Sequence, residues 1–318
     1  MTLDDAPAVN DLMAAAEAVD RTDEHYNLED VLEDLANPMI DVDRDWWVAE
    51  SAGTLVGHTL LVPRAAADGA ISVGIDGTVH PDHRRQGVGS TLLRTAVERA
   101  PRHVAERGAE LRCSVTVSAP SDDTDLAAVV ERLGLRPERY QFVMVADLSA
   151  AAATEPRPGA DGLPEGFVLS TWEGEDPDEI REAHNLAFGA HHPGFTAWDA
   201  EMWGQWVWGS RALRPGLSLI ARDEAGAIAA YLQTNEYDAV AEATGIREAF
   251  VAKVGTAATH RRHGLASALL RLALQRYREA GFDRAALDVD SENPSGALGV
   301  YERAGFRTTR RWTNYRSG

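Results

Sequence analysis

One cysteine, Cys113, is present in 318 residues, which excludes an intramolecular disulfide framework and a multi-cysteine zinc site. Lysine is as scarce: Lys253 stands alone among arginines, a bias expected of GC-rich coding and not of function. No apolar run approaches the ~20 residues of a membrane span. The opening MTLDDAPAVNDL has neither the basic nor the apolar region of a secretory leader. The cytoplasm is therefore the expected compartment. Positive charge is also in short supply, with 31 Lys and Arg against 50 Asp and Glu and a formal charge of −19. That balance argues against nucleic acid, because phosphate binding needs a surplus of cations on at least one face. The excess carboxylates keep a surface soluble or draw in a cationic amine, and composition alone leaves both open.

The length exceeds the usual size of one core, and the 44% hydrophobic and 25% charged content is that of a globular protein. Residues 149–164 are rich in Ala, Pro and Gly without periodicity, as an interdomain linker would be. The expected division is residues 1–150, a linker at 151–162, and residues 163–318. Both halves show the same order of signals. Acidic helical sequence (5–36, then 177–211) precedes two strand-like runs around turn residues (46–50 and 54–62, then 217–221 and 227–233). A third strand candidate follows at 71–79 or 250–256, and then a basic loop containing glycine.

The first loop reads His83-Arg84-Arg85-Gln86-Gly87-Val88-Gly89-Ser90 and the second His260-Arg261-Arg262-His263-Gly264-Leu265-Ala266-Ser267. An amphipathic helix pattern follows each, with Val88, Leu92, Leu93, Ala96 and Val97 against Leu265, Leu269, Leu272 and Ala273. Further on, Val130-Glu131-Arg132-Leu133-Gly134-Leu135 answers Tyr301-Glu302-Arg303-Ala304-Gly305-Phe306. Arg84 and Arg261 lie 177 positions apart, Val130 and Tyr301 lie 171 apart. Two signals at nearly constant separation mark a tandem repeat of a whole domain. The loop has a physical purpose. A helix start leaves its first N–H groups unpaired and carries the positive end of the macrodipole, so a pyrophosphate fits there. Small residues at 264 and 266 allow close approach. The pattern lacks the Gly-Lys-Ser/Thr ending of a Walker loop and the Gly-x-Gly-x-x-Gly of a dinucleotide fingerprint.

On these loops, and on the stretch from Asn293 through Tyr301-Glu302 to Gly305-Phe306, the sequence resembles the GNAT acetyltransferase superfamily. The tandem arrangement is similar to that of the mycothiol synthase group. The resemblance runs through both halves to final strands at 140–147 and 308–315. It implies an α/β fold of two tandem domains, each a mixed, splayed sheet flanked by helices. It implies acetyl-CoA as donor substrate and transfer to a primary amine of a small-molecule acceptor; no Cys/His pairing suggests a metal, and none is expected. A peptide or protein N-acetyltransferase and a CoA-binding sensor without turnover are the alternatives. The second half is expected to be catalytic, with Val254, Gly255, Thr256, Arg261, Arg262, His263, Gly264, Leu265, Ala266, Ser267 and Asn293 toward CoA. Its Gly255 suits an irregular strand position.

In the first half the corresponding residues are Val79, Arg84, Arg85, Gln86, Gly87, Val88, Gly89 and Ser90. Val130 replaces Tyr301 and Asp122 replaces Asn293 there, so that half is expected not to turn over. Tyr301 matches the family tyrosine that protonates the departing thiolate. Glu248 is the candidate general base, because it shares strand parity with Val254 and Thr256. The family position for that base is held by Phe250. Glu236, Asp288, Asp290 and a water relay are alternatives. His191, His192, Phe195, Trp198, Trp203, Trp206 and Trp208 fall where the family walls the acceptor site. They are expected to pack the core or to hold a cationic acceptor through their rings.

Overall fold

In the computed structural model, which describes residues 1–67, 70–106, 112–149, 162–189, 195, 197–291 and 297–317, the first acidic stretch forms two helices, not one. Helix α1 (Ala6–Asp20) buries Ala6, Val9, Leu12 and Ala16 along one face and ends at Arg21, whose φ is +51°. Helix α2 (Leu28–Ala36) starts at Asn27, whose side chain accepts from the Asp30 amide in a capping box. After the short α3 (Val42–Asp45), strands β1 (Trp46–Ser51) and β2 (Thr54–Ala67) form a hairpin. Ala52 and Gly53 turn it with φ of +51° and +81°, the left-handed pair that a two-residue hairpin requires. Strand β3 (Ala70–Val79) runs antiparallel to β2, and helix α4 (Val88–Glu106) then carries the chain to β4 (Arg112–Pro120), parallel to β3. Helix α5 (Thr124–Arg132) and strand β5 (Arg136–Asp147) complete the first half.

The second half repeats the plan. Strand β6 (Val168–Thr171), helices α6 (Pro177–Gly189) and α7 (Ala200–Trp203), and a π turn at Gly204–Trp208 lead to the hairpin of β7 (Leu219–Arg222) and β8 (Ile228–Asn235). Helix α8 (Asp238–Thr244), which the sequence reading did not anticipate, precedes β9 (Glu248–Thr256), α9 (Leu265–Glu279), β10 (Arg284–Asp290), α10 (Ala297–Ala304) and β11 (Arg307–Arg316).

Two compact units result, Met1–Gln141 with Arg310–Gly318, and Phe142–Thr309. They do not follow the sequence halves strand for strand. In the first unit the strand order is β1-β2-β3-β4-β11, and Trp312–Arg316 of β11 pair with Pro120–Thr116 of β4. That pairing covers an edge of β4 that would otherwise offer unpaired N–H and C=O groups. In the second unit the order is β5-β10-β9-β8-β7-β6, and Met144 and Ala146 of β5 are buried in its core. The last strand of each half thus serves, in part, the other unit. Of the expected linker, residues 151–161 lie outside the described residues.

Each sheet opens. In the first unit the β3–β4 pairing ends at Gly74–Thr116, with five residues of β3 still to come. In the second, the β9–β10 pairing ends at Phe250–Ala286, so residues 251–256 and 287–290 form two diverging arms. Two parallel strands that part leave unpaired backbone groups facing a cleft. The largest core packs beneath the second cleft: Leu265, Ala268, Leu269, Ala273 and Tyr277 of α9 lie against Ala249 and Val251 of β9 and Ala285, Leu287 and Val289 of β10.

Candidate active site

The two basic loops have the same local geometry. Arg84 Nε donates to the Val79 carbonyl at 3.1 Å, and Arg261 Nε to the Thr256 carbonyl at 3.3 Å. Each loop then passes through a left-handed arginine, Arg85 (φ +59°) or Arg262 (φ +66°), and a left-handed glycine, Gly87 (φ +88°) or Gly264 (φ +80°). The first helical bonds run from Thr91 to the Gly87 carbonyl and from Ala268 to the Gly264 carbonyl. The amides before them, at Val88, Gly89 and Ser90 and at Leu265, Ala266 and Ser267, have no carbonyl one turn earlier to bond. Gly264 provides no side-chain cap. An oxyanion fits such an uncapped first turn. A Cβ at Gly264 would meet nothing within 4 Å, so the positive φ, not crowding, calls for glycine here.

The arginines divide their work. Arg262 is exposed beside the helix start, as are His263 and Ser267. The Arg261 guanidinium instead turns inward, where Nη2 donates to the Ala187 carbonyl at 2.8 Å, tying the loop to α6. Its counterpart Arg84 forms a two-toothed ion pair with Asp20 at 2.6 and 2.7 Å. The first arginine of each loop is a brace for the strand end.

Strand β9 carries a bulge, and its position changes the reading of the strand. Opposite β8, Lys253 pairs with Gln233 and Val251 with Thr234, so Ala252 is the extra residue. Gly255 sits in regular register opposite Tyr231. It is glycine because a Cβ there would lie 2.2 Å from Tyr231 Cε1. The bulge also reverses parity. Ala249, Val251 and Val254 pack toward α9, which places Glu248, Phe250, Lys253 and Gly255 on the opposite face. Glu248 therefore does not share a face with Val254, as simple alternation suggested. Its carboxylate accepts from Arg284 Nε at 2.5 Å at the closed end of the cleft. A carboxylate held in an ion pair at the closed end is poorly placed to take a proton from an amine in the opening.

Asp288 is better placed. It stands on the open arm of β10, on the face away from α9, since Leu287 and Val289 fill the core side. Its side chain is exposed to the opening, yet crowding by the surrounding protein, reinforced by the Glu248 carboxylate, raises its carboxyl to about 6. Glu236 is gripped by Arg214 at 2.8 Å and Arg247 at 2.6 Å. Although burial opposes it, the two guanidiniums hold that carboxyl below the usual range. Tyr301 of α10 packs edge-on to Phe306, ring centres 6.1 Å apart. Burial pushes its phenol up to about 12, so it is a protonated donor at neutral pH. Asn293 lies outside the described residues.

The face opposite α9 is walled by aromatic residues. Trp172 is buried in a stack with Trp203 and Trp208, ring centres 6.4 and 6.2 Å away. His184 Nδ1 meets the Tyr231 hydroxyl at 2.5 Å. Burial, with a contribution from the neighbouring Tyr301, raises the Tyr231 phenol well above its ordinary value. Trp203 and Trp208 are thus core residues. Trp198 presents its face to the chain's own cation, with Lys253 Nζ 5.3 Å from the ring centre. His191 and His192 lie outside the described residues. Tyr231 and Lys253 were not among the site residues expected from the sequence, and Asp288 was named only as an alternative to Glu248. The available signal was Lys253 itself, two residues before Gly255. In the first unit Val130, opposite Tyr301 in the repeat, is fully buried in the core. Among the described residues no group of three or more His, Cys, Asp or Glu is arranged to hold a metal. None of the described helices is long and apolar enough to cross a membrane.

The sequence matches the family model of the Acetyltransferase (GNAT) family over residues 7–123 and again over 178–306. The chain belongs to that family, as a tandem of two such domains. It is 30% identical over 262 residues to a mycothiol acetyltransferase of Tsukamurella paurometabola, covering 80% of each chain. A second mycothiol acetyltransferase, from Saccharomonospora viridis, is 29% identical over 272 residues, covering 84% of this chain and 81% of that one. Among solved structures, a GCN5-related N-acetyltransferase from Sphaerobacter thermophilus superposes with a TM-score of 0.72 at 26% identity, over 100% of this chain and 93% of the other. A tandem GNAT protein from the clavulanic acid biosynthesis pathway shares the fold, with a TM-score of 0.70 at 22% identity over 100% and 96%.

Proposed function

We propose that the second unit transfers the acetyl group of acetyl-CoA to the primary amine of a small-molecule acceptor. The observation that carries this reading is the meeting of three features in one unit: the uncapped start of α9, the splayed arms of β9 and β10, and the protonated Tyr301. Bound acetyl-CoA would supply an activated thioester. The amides at 265–267, with Arg262 beside them, would hold its diphosphate, and the backbone of Val254, Gly255 and Thr256 would line the thioester arm. Tyr301, whose proton is retained up to about pH 12, donates to the departing sulfur. Asp288, with a carboxyl near 6, is ionised at neutral pH and takes the proton of the incoming amine. Glu248, paired with Arg284, keeps a negative charge behind Asp288 and holds its proton affinity up. The likeness to mycothiol acetyltransferases makes a mycothiol-synthase-like acetylation the first specific reaction to test.

The first unit has the same loop but Val130 where Tyr301 stands. On this reading it can hold CoA and cannot protonate a thiolate. The test is a panel of amines, including aminosugar–cysteine conjugates and aminoglycosides, with thiol release followed for the wild type and Tyr301→Phe. General acids contribute about 10²–10⁴-fold, so kcat should fall by that order while acetyl-CoA affinity stays near normal. Wild-type kcat across the pH range in the variant would reject the assignment of Tyr301. Absence of acetyl transfer to every amine, with acetyl-CoA bound, would favour the sensor reading.

A further inference from the structure

The one lysine of this chain lies in the cleft. Lys253 is on the diverging arm of β9, on the face away from α9, with its ammonium 5.3 Å from the centre of the Trp198 ring. Its register partner across the ladder is Gln233. Directly opposed side chains on one face stand about 5 Å apart at Cβ. Gln233 is 1% exposed, its Nε2 donates to Asn235 Oδ1 at 2.9 Å, and its Oε1 meets no donor among the described residues. Lys253 is likewise without a carboxylate: no ion pair or hydrogen bond joins its ammonium to any of the described residues. Burial lowers the amine to about 8, which leaves it a cation at neutral pH.

A partly buried cation with no counter-charge among the described residues is costly. The fold does not demand it, because the matching strand position in the first unit, 177 residues earlier, is Asp76. Nor does the site suit a cationic acceptor, since the face of Trp198 is already taken by a cation and a second would be repelled. An anionic group entering the cleft would supply the missing charge.

We propose that Lys253, backed by Trp198, is the seat of a carboxylate on the acceptor, so that the amine acetylated here belongs to an amino-carboxylate. Asp288 stands on the other arm and the same face, so the two ends of such a molecule find opposite charges: the carboxylate at Lys253, the amine at Asp288. This inference rests on the acetyl-transfer reading of the second unit.

A single lysine makes the test direct. Full-length protein labelled with [15N]lysine gives one side-chain resonance, which can be followed with acetyl-CoA present while L-alanine, β-alanine and L-aspartate are compared with their carboxamides. The carboxylates should shift the signal saturably, with at least tenfold tighter apparent binding than the carboxamides. In parallel, Lys253→Met should lower the carboxylate-over-carboxamide ratio of kcat/KM at least tenfold, chiefly through KM, and Lys253→Arg should restore part of it. Thermal unfolding verifies that both variants are folded. Equal shifts from the carboxamides, or no shift from any carboxylate, overturn the proposal. Acetylation of Lys253 by acetyl-CoA alone, seen in the intact mass, overturns it too, since the lysine would then be a nucleophile. Carboxylate binding at Lys253 without turnover of any amine would instead sink the acetyl-transfer reading. Turnover with no carboxylate preference would sink only the present inference.

Discussion

Replacing Lys253 by Met should make the protein more stable at neutral pH. The ammonium is held at about 8 against an ordinary 10.5, so the folded state disfavours the charged form. One pKa unit corresponds to about 1.4 kcal/mol, and the interval amounts to roughly 3 kcal/mol carried as a penalty wherever both states are protonated. The sign follows from linkage. Below pH 8 the penalty is fully present. Between 8 and 10.5 the native state has lost a proton that the unfolded chain retains, so wild-type stability rises with pH through that window. Methionine fills similar space against Trp198 and forfeits only the cation–π contact, worth about 0.5–2 kcal/mol. The net gain should be about 1–3 kcal/mol at pH 7 and should close by pH 10. Urea unfolding of the two proteins at pH 7, 8, 9 and 10 measures it, since titrations common to both cancel in the difference. A variant less stable than wild type at pH 7, or a gap that does not change with pH, would refute the argument that an uncompensated cation sits in the cleft.

Plots of kcat against pH at saturating acceptor should rise on the acid side through an ionisation near 6, the value of Asp288, because the base must be unprotonated to accept the amine proton. Asp288→Asn should remove that limb and lower kcat by about 10²-fold or more; Glu248→Gln should keep the limb but move it toward lower pH, since it removes the neighbouring charge. Retention of the limb in Asp288→Asn would reject the assignment. Gly255→Ala should destabilise the second unit by about 1–3 kcal/mol, because the new Cβ would fall 2.2 Å from Tyr231 Cε1; unchanged unfolding in urea would contradict the close approach described.

The sequence disclosed the repeat because two unlike signals, a loop and a helix end, recur at nearly the same separation. It disclosed the loops because positive-φ positions and uncapped helix starts select visible residue types, as at Gly87 and Gly264. The exchange of final strands was not legible. A strand's own residues specify its faces but not which edge it joins, and Met144 and Ala146 are as apolar as any core pair. Parity along β9 misled for a definite reason: Ala252, an ordinary alanine, is the bulge, and one extra residue moved Glu248 to the face opposite Val254. Asp288 was visible only as one carboxylate among many, because its altered proton affinity comes from neighbours remote in sequence. Lys253 was set aside as a coding bias. Its meaning depends on Trp198, which the fold brings to it from 55 residues away.

On the proposed function, chemistry belongs to the second unit and the loop at Gly264 serves it. The most direct measurement compares Gly87→Val with Gly264→Val, both shown to be folded, for acetyl-CoA bound per chain by calorimetry and for thiol release. Each valine stands at a left-handed position that disfavours it and displaces the amides that follow. Gly264→Val should lose turnover and CoA binding at the second unit, while Gly87→Val should keep turnover. Turnover abolished by Gly87→Val alone, with Gly264→Val fully active, would place the active site in the first unit.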